Sequence, residues 1–248
     1  MIVTRAPEQS GELVKLLSDA GARVVEVPTL VTVPVDGDEL SLVDAALRDL
    51  AAGAYDGVIV TSRNTVAFVH ERLLAIGLGA AAVAGTPVFA IGPATARALV
   101  ERGYEPPTVA EEAIAEGLLA TVRDALDADL AGMRFLLPRA REGRDVVIEG
   151  LRRAGARVDL VVVYETRPVT SGPGLPAGTR LDWVTFMSPS AVRAFVQRFG
   201  NLRTKVAVVG PVTAKAVREA GLEVDAMGEE HTAAGMVAAM VAAAGTGG

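Results

Sequence analysis

Two serines and two threonines occupy matched places in this chain, each where an apolar run gives way to a helical pattern. Ser62 follows Gly57-Val58-Ile59-Val60-Thr61, and Ser188 follows Trp183-Val184-Thr185-Phe186-Met187. A serine there caps a helix by accepting an orphan amide hydrogen bond. Amides left free at such a helix start also bind carboxylate or phosphate, with the hydroxyl as an extra donor, and the two roles are compatible. Thr95 and Thr213 lie in Gly92-Pro93-Ala94-Thr95 and Gly210-Pro211-Val212-Thr213. In these turns Gly92 and Gly210 permit a tight backbone beside a ligand, while proline presets the first helical residue. Proline also removes a backbone donor. No G-x-x-x-x-G-K-[ST] and no strand-borne G-x-G-x-x-G is present, so nucleotide binding has little support.

Arg5 closes Val3-Thr4-Arg5 and Arg139 closes Leu137-Pro138-Arg139. Each reads as a residue just past a strand, where a guanidinium can grip a carboxylate in fork fashion; a surface ion pair is the competing role. Arg141 and Arg144 add charge to the second of these loops and are expected to be solvated. Tyr164, in Val161-Val162-Val163-Tyr164-Glu165, is a candidate proton donor, with ordinary packing as the alternative. The chain has no cysteine and two histidines, His70 and His231. Without a carboxylate constellation beside them they make neither a metal site nor a Ser-His-Asp triad.

The elements that position these residues are written twice. The segment from Val3 matches the segment from Leu137, aligning Arg5 with Arg139 and Gly21-Ala22-Arg23-Val24 with Gly155-Ala156-Arg157-Val158. Ser62 and Val66 align with Ser188 and Val192, whereas Phe68 meets Phe195 only after a one-residue slip. Gly92-Pro93 and Thr95 align with Gly210-Pro211 and Thr213, and the same offset carries Glu111, Glu112 and Gly117 onto Glu229, Glu230 and Gly235. Two copies of a four-part strand–helix pattern imply two α/β domains rather than a solenoid. Strands alternating with helices imply parallel sheets covered on both faces, with ligands at the carboxyl ends of the strands. Two such rims facing one another would make a cleft. The β-rich stretches around 27–35 and 161–169, bounded by prolines, read as connections crossing between the domains.

Composition narrows the partners. Half of the 248 residues are apolar and 22% are charged, which allows a sizeable core. The net charge of −6, with no Lys/Arg cluster, argues against nucleic acid but leaves a small anion open, since local amides and a few arginines can bind one. Arg5 interrupts the N-terminus before a signal-type apolar stretch forms, and the longest uncharged stretch, Leu73 to Ala96, carries Pro87 and Pro93. No membrane span is expected, and the absence of cysteine fits a cytoplasmic protein.

Several of these stretches, in their order and spacing, resemble the uroporphyrinogen-III synthase family over nearly the whole chain. They are Val3-Thr4-Arg5, Tyr55-Asp56 through Ser62, Ile91-Gly92-Pro93-Ala94-Thr95, Leu136 through Arg139, Val163-Tyr164-Glu165-Thr166, Phe186 through Val192, and Val209 through Thr213. The resemblance implies two flavodoxin-like domains joined by a two-stranded connector, with the substrate cleft between them. It also implies a swap, with 1–33 plus 168–248 forming one domain and 34–167 the other. The implied reaction converts hydroxymethylbilane to uroporphyrinogen III, with ring D inverted and water lost, in a monomer that uses neither metal nor organic cofactor. It makes Tyr164 the residue that helps the hydroxyl leave, and puts Ser62, Thr95, Ser188 and Thr213 around a substrate bearing eight carboxylates. Asn64 stands where some relatives carry a basic residue. The rival reading is a non-catalytic cleft protein that senses a tetrapyrrole or a small anion.

Overall fold

The computed structural model describes residues 1–126, 129–143, 145–171, 174–175 and 181–245. The chain divides into two compact units, Met1–Val31 with Arg167–Gly248, and Thr32–Thr166.

The first unit is built on five strands: β1 (Ile2–Val3), β2 (Val25–Glu26), β9 (Trp183–Phe186), β10 (Lys205–Val208) and β11 (Ala226–Met227). Their order is β11-β10-β9-β1-β2, and every neighbouring pair is parallel. Parallel strands buried on both faces read as continuous apolar runs, because successive side chains enter opposite layers. Ile2, Val184, Val206 and Val208 enter one layer, against Val192 and Phe195 of α7 (Pro189–Phe199) and Val217 of α8 (Pro211–Glu219). Val3, Trp183 and Ala207 enter the other, against Leu13 and Leu17 of α1 (Pro7–Asp19) and Met236 and Met240 of α9 (Ala233–Gly245). Buried threonines bond across the central strands. Thr4 Oγ1 donates to the Thr185 carbonyl at 2.8 Å and Thr185 Oγ1 to the Ile2 carbonyl at 3.1 Å.

The second unit repeats the plan with β4 (Gly57–Val60), β5 (Val88–Ala90), β6 (Thr108–Val109), β7 (Arg134–Ala140) and β8 (Arg157–Pro168). The sheet order is β3-β8-β7-β4-β5-β6, where β3 is Leu30–Pro34. The pairs from β8 to β6 are parallel. Val58, Val60 and Leu136 pack with α2 (Gly37–Ala51), α3 (Arg63–Ala75) and α4 (Pro93–Val100). Ile59, Phe89, Phe135 and Leu137 pack with α5 (Ala115–Leu126) and α6 (Val146–Arg153). The chain leaves the first unit within β3 and returns within β8. Among the described residues, no helix is long and apolar enough to cross a membrane.

Pro138 lies inside β7, where a missing amide should break the ladder. The Arg134 carbonyl accepts from Asp56, on the β4 side, while the Met133 carbonyl accepts from Arg157 of β8. By this alternation the Pro138 nitrogen faces β4. The β4–β7 register stops at Val58↔Leu136, short of the proline, so no ladder bond is lost to it.

Candidate functional site

A cavity of about 370 Å³ is lined by Thr61, Ser62 and Thr65 from the β4–α3 turn, Leu137 and Arg139 from β7, and Tyr164 from β8, with residues 113–116 along another side. It sits at the carboxyl ends of β4 and β7, where the sheet reverses its direction of growth, the place where open α/β sheets collect ligands. A larger cavity of about 850 Å³ opens on the first unit among Trp183, Thr204, Lys205 and Asp225. It lies by the amino ends of β9 and β10, away from any helix start that could present free amides. The smaller one is therefore the candidate site.

Ser62 is the N-cap of α3, and its Oγ accepts the Thr65 amide at 3.0 Å. Val66 N–H bonds to the Ser62 carbonyl at 3.2 Å. The amides of Arg63 and Asn64, one and two residues into the helix, have no acceptor within it and carry the positive end of its dipole. Two further hydroxyls meet Ser62 Oγ: Thr65 Oγ1 at 2.9 Å and the Tyr164 hydroxyl at 3.2 Å. The Tyr164 ring stacks on Phe68, with centroids 4.9 Å apart and planes 19° from parallel.

A bulge delivers Tyr164 to this place. The β7–β8 register runs Arg139↔Val162 and then Ala140↔Tyr164, so one residue of β8 is left over. Alternation breaks there, and Val163 and Tyr164 both join the layer that holds Phe68 and Val66. Thr65 was not singled out in the sequence, although it sits one helical turn beyond the Ser62 cap, and Phe68 entered only through the alignment of the repeats.

The other expected residues divide. Arg139 lines the cavity, but from within β7 rather than from a loop beyond it, because the strand continues through Pro138. Its Nη1 donates to Asp145 Oδ1 at 2.7 Å. Arg141, expected to be solvated, pairs with both Glu39 and Glu165. Their carboxylates hold its guanidinium above its ordinary range. Arg144 lies outside the described residues. Thr95 and Thr213 sit in the first turns of α4 and α8 and are 4% and 3% exposed. Gly92 and Gly210 are both extended, with φ of −175° and 176°, a conformation open to any residue. A Cβ at Gly92 would meet Ala113 at 3.3 Å, and one at Gly210 would meet the His231 ring at 2.8 Å, so both glycines accommodate the chain's own neighbouring loops.

On the first unit, Ser188 caps α7 by accepting the Ala191 amide at 3.2 Å. Arg5 lies in the turn between β1 and α1 and donates from Nε to Gln9 at 3.4 Å. This rim presents fewer backbone donors, because α1 and α7 both begin with proline whereas α3 and α6 do not. His70, with no part in the site, shares a hydrogen bond of 3.1 Å with the Tyr104 hydroxyl.

A family model described as uroporphyrinogen-III synthase HemD matches residues 11–238. The chain is 30% identical over 256 residues to the uroporphyrinogen-III synthase of Synechococcus elongatus, covering 97% of this chain and 93% of that one. Under a provisional form of the same name, a protein of Methanothermobacter thermautotrophicus is 34% identical over 262 residues, covering 99% and 98%. In fold it is similar to a mutant uroporphyrinogen III synthase from Thermus thermophilus, with a TM-score of 0.56 and 21% identity over 99% of this chain and 98% of that one. It is similar too to the uroporphyrinogen-III synthetase of Helicobacter pylori, with a TM-score of 0.59 and 18% identity over 89% and 93%.

Proposed function

The chain belongs to the uroporphyrinogen-III synthase family, enzymes that cyclise hydroxymethylbilane with loss of water, and we propose how the rim of β4, β7 and β8 carries that reaction. Tyr164 gives its proton to the terminal hydroxyl of the substrate. The carbon–oxygen bond breaks, water leaves, and the carbon left behind shares its positive charge with the adjoining pyrrole. Because ring D is inverted, it attacks that carbon through the position that already bears its bridge to ring C. That bridge bond then breaks, leaving the positive charge on the ring C side. Ring D closes on it through its free position, whose proton restores the tyrosine. No step consumes a cofactor.

The substrate's carboxylates are held by local donors, since the chain as a whole carries −6. The Arg63 and Asn64 amides at the start of α3 suit one carboxylate, and Arg139 suits another if it exchanges Asp145 for it. Holding the chain in one geometry is the main task, because unguided cyclisation gives a different isomer. Ser188 and Arg5 lie on the corresponding rim of the first unit and are read as donors for a carboxylate there.

Two flavodoxin-like domains are supported by strand order. Counted in chain order, the first unit runs 2-1-3-4-5 across its sheet. The second runs the same way when counting begins at β7 and β3 is set aside as an added edge. A monomer in the cytoplasm completes the proposal.

The observation that carries it is the Tyr164 hydroxyl lining a cavity one residue from free helix-start amides. The test is to supply hydroxymethylbilane, oxidise the product and separate the porphyrin isomers. Isomer III in excess is the expected result. Isomer I alone, at the rate seen without protein, would make this a binding protein.

A further inference from the structure

We propose that Thr65 is a positioning residue: it fixes the direction of the hydrogen-bond chain Thr65–Ser62–Tyr164, so that the tyrosine keeps its proton for the substrate. This rests on Tyr164 being the acid of the reaction.

The count of protons makes the case. Ser62 Oγ has one proton and two acceptor sites, and the Thr65 amide occupies one of those sites. One donation and one acceptance remain for Thr65 Oγ1 and the Tyr164 hydroxyl. Two arrangements are possible. In the first, tyrosine donates to serine and serine to threonine, which spends the tyrosine proton and leaves the threonine proton to find another acceptor. In the second, threonine donates to serine and serine donates to the tyrosine oxygen, leaving the tyrosine proton directed into the cavity.

Thr65 decides between them. It is 1% exposed, and among the described residues Ser62 Oγ is the hydrogen-bond partner its hydroxyl meets, so a proton it donates goes there. A buried hydroxyl with an undonated proton is costly, so the second arrangement holds. It also places the serine proton on the tyrosine oxygen as negative charge builds there during proton transfer.

The repeat supplies an internal control. By the offset that aligns Ser62 with Ser188, Thr65 corresponds to Ala191; by the offset that aligns Arg139 with Arg5, Tyr164 corresponds to Leu30. Ser188 caps its helix on the Ala191 amide with no hydroxyl at that place. The cap therefore does not require the Thr65 hydroxyl. The two hydroxyls occur together in the second unit and are both missing from the first.

The test is a double-mutant cycle on the full chain, with kcat and KM for isomer III formation. Thr65→Val is expected to lower kcat about tenfold, the worth of one misdirected hydrogen bond, with KM within about twofold. Thr65→Ser should recover kcat to within about threefold, because it returns the donor. In a Tyr164→Phe background, Thr65→Val should change nothing further, since there is no tyrosine proton left to direct. Wild-type kcat in Thr65→Val, or the same loss in both backgrounds, overturns the proposal while leaving Tyr164 as the acid. Wild-type kcat in Tyr164→Phe overturns both. Should Thr65→Val not fold, Thr65→Ala introduces the residue that the first unit tolerates beneath the same cap, and the same outcomes apply.

Discussion

Truncating the two capping serines should cost unequal amounts, although the serines hold equivalent places. Ser188 Oγ accepts one amide, that of Ala191, so Ser188→Ala is expected to cost about 1 kcal/mol. Ser62 Oγ accepts the Thr65 amide and also meets the Thr65 and Tyr164 hydroxyls. At about 1 kcal/mol for each further bond, Ser62→Ala comes to about 3 kcal/mol, with the Thr65 hydroxyl left buried and without an acceptor. The difference of about 2 kcal/mol corresponds to about 1 M in a urea midpoint. The chain's one tryptophan, Trp183, is 4% exposed in β9, so its fluorescence reports the first unit, and far-UV circular dichroism reports both. Ser188→Ala should therefore move the fluorescence transition slightly, whereas Ser62→Ala should move the dichroism transition by the larger amount. Turnover should separate them further, with Ser188→Ala within about threefold of wild type and Ser62→Ala down about tenfold or more. Equal midpoints for the two variants would refute the three-bond description of Ser62.

Tyr164→Phe should lower kcat about 100-fold with KM little changed, measured by isomer III formation, and wild-type turnover would remove Tyr164 from the chemistry. Gly57→Ala should cost about 1–3 kcal/mol, seen as an earlier thermal midpoint, because its Cβ would lie 2.8 Å from Phe135 and 3.0 Å from Phe89, two fully buried rings. Gly210→Ala should be nearly neutral by the same measurement, since the ring it meets is that of the exposed His231, which can swing away. Alkaline pH should destabilise the second unit. Burial pushes the Tyr104 phenol up to about 12, so the folded state keeps a proton that the unfolded chain releases near 10. That contribution is whole below pH 10 and is lost as pH rises through 12, and Tyr104→Phe should remove part of the loss in a pH series of dichroism scans. Part should persist, because burial and the Asp159 hydrogen bond push Tyr55 in the same direction.

The α/β class, the alternation of strands and helices, and the serine caps were all legible because each is local. An apolar run of four ending in serine decides its own conformation from neighbours close in sequence. Other features depended on partners far along the chain. Arg139 looked like a loop residue because Leu137-Pro138 suggests a strand end; β7 continues because the proline nitrogen faces a side where the ladder has already stopped. The approach of Tyr164 to Ser62, 102 positions away, depends on β8 lying beside β7 and on one extra residue in β8. Neither strand order nor a bulge leaves a mark in composition or period.

The site itself was most nearly visible in what the two copies do not share. Aligning the repeats rewards positions that agree: Ser62 with Ser188, Thr95 with Thr213, Gly92 with Gly210, Arg5 with Arg139. Agreement of that kind selects what each half needs to fold, namely a cap, a helix start and a close loop. Thr95 and Thr213 illustrate it, since both are almost fully buried. Chemistry performed once per molecule has no reason to be duplicated, so its residues should appear where the copies part. Thr65 against Ala191 and Tyr164 against Leu30 are two such places, and they converge on a single serine oxygen. The proline at the start of α7, opposed by Arg63 at the start of α3, is a third, and it too gives the second unit the donor that the first lacks. In this duplicated fold the shared cap Ser62 anchors the site, and the paired departures around it, Thr65 and Tyr164, mark which of the two copies carries the reaction.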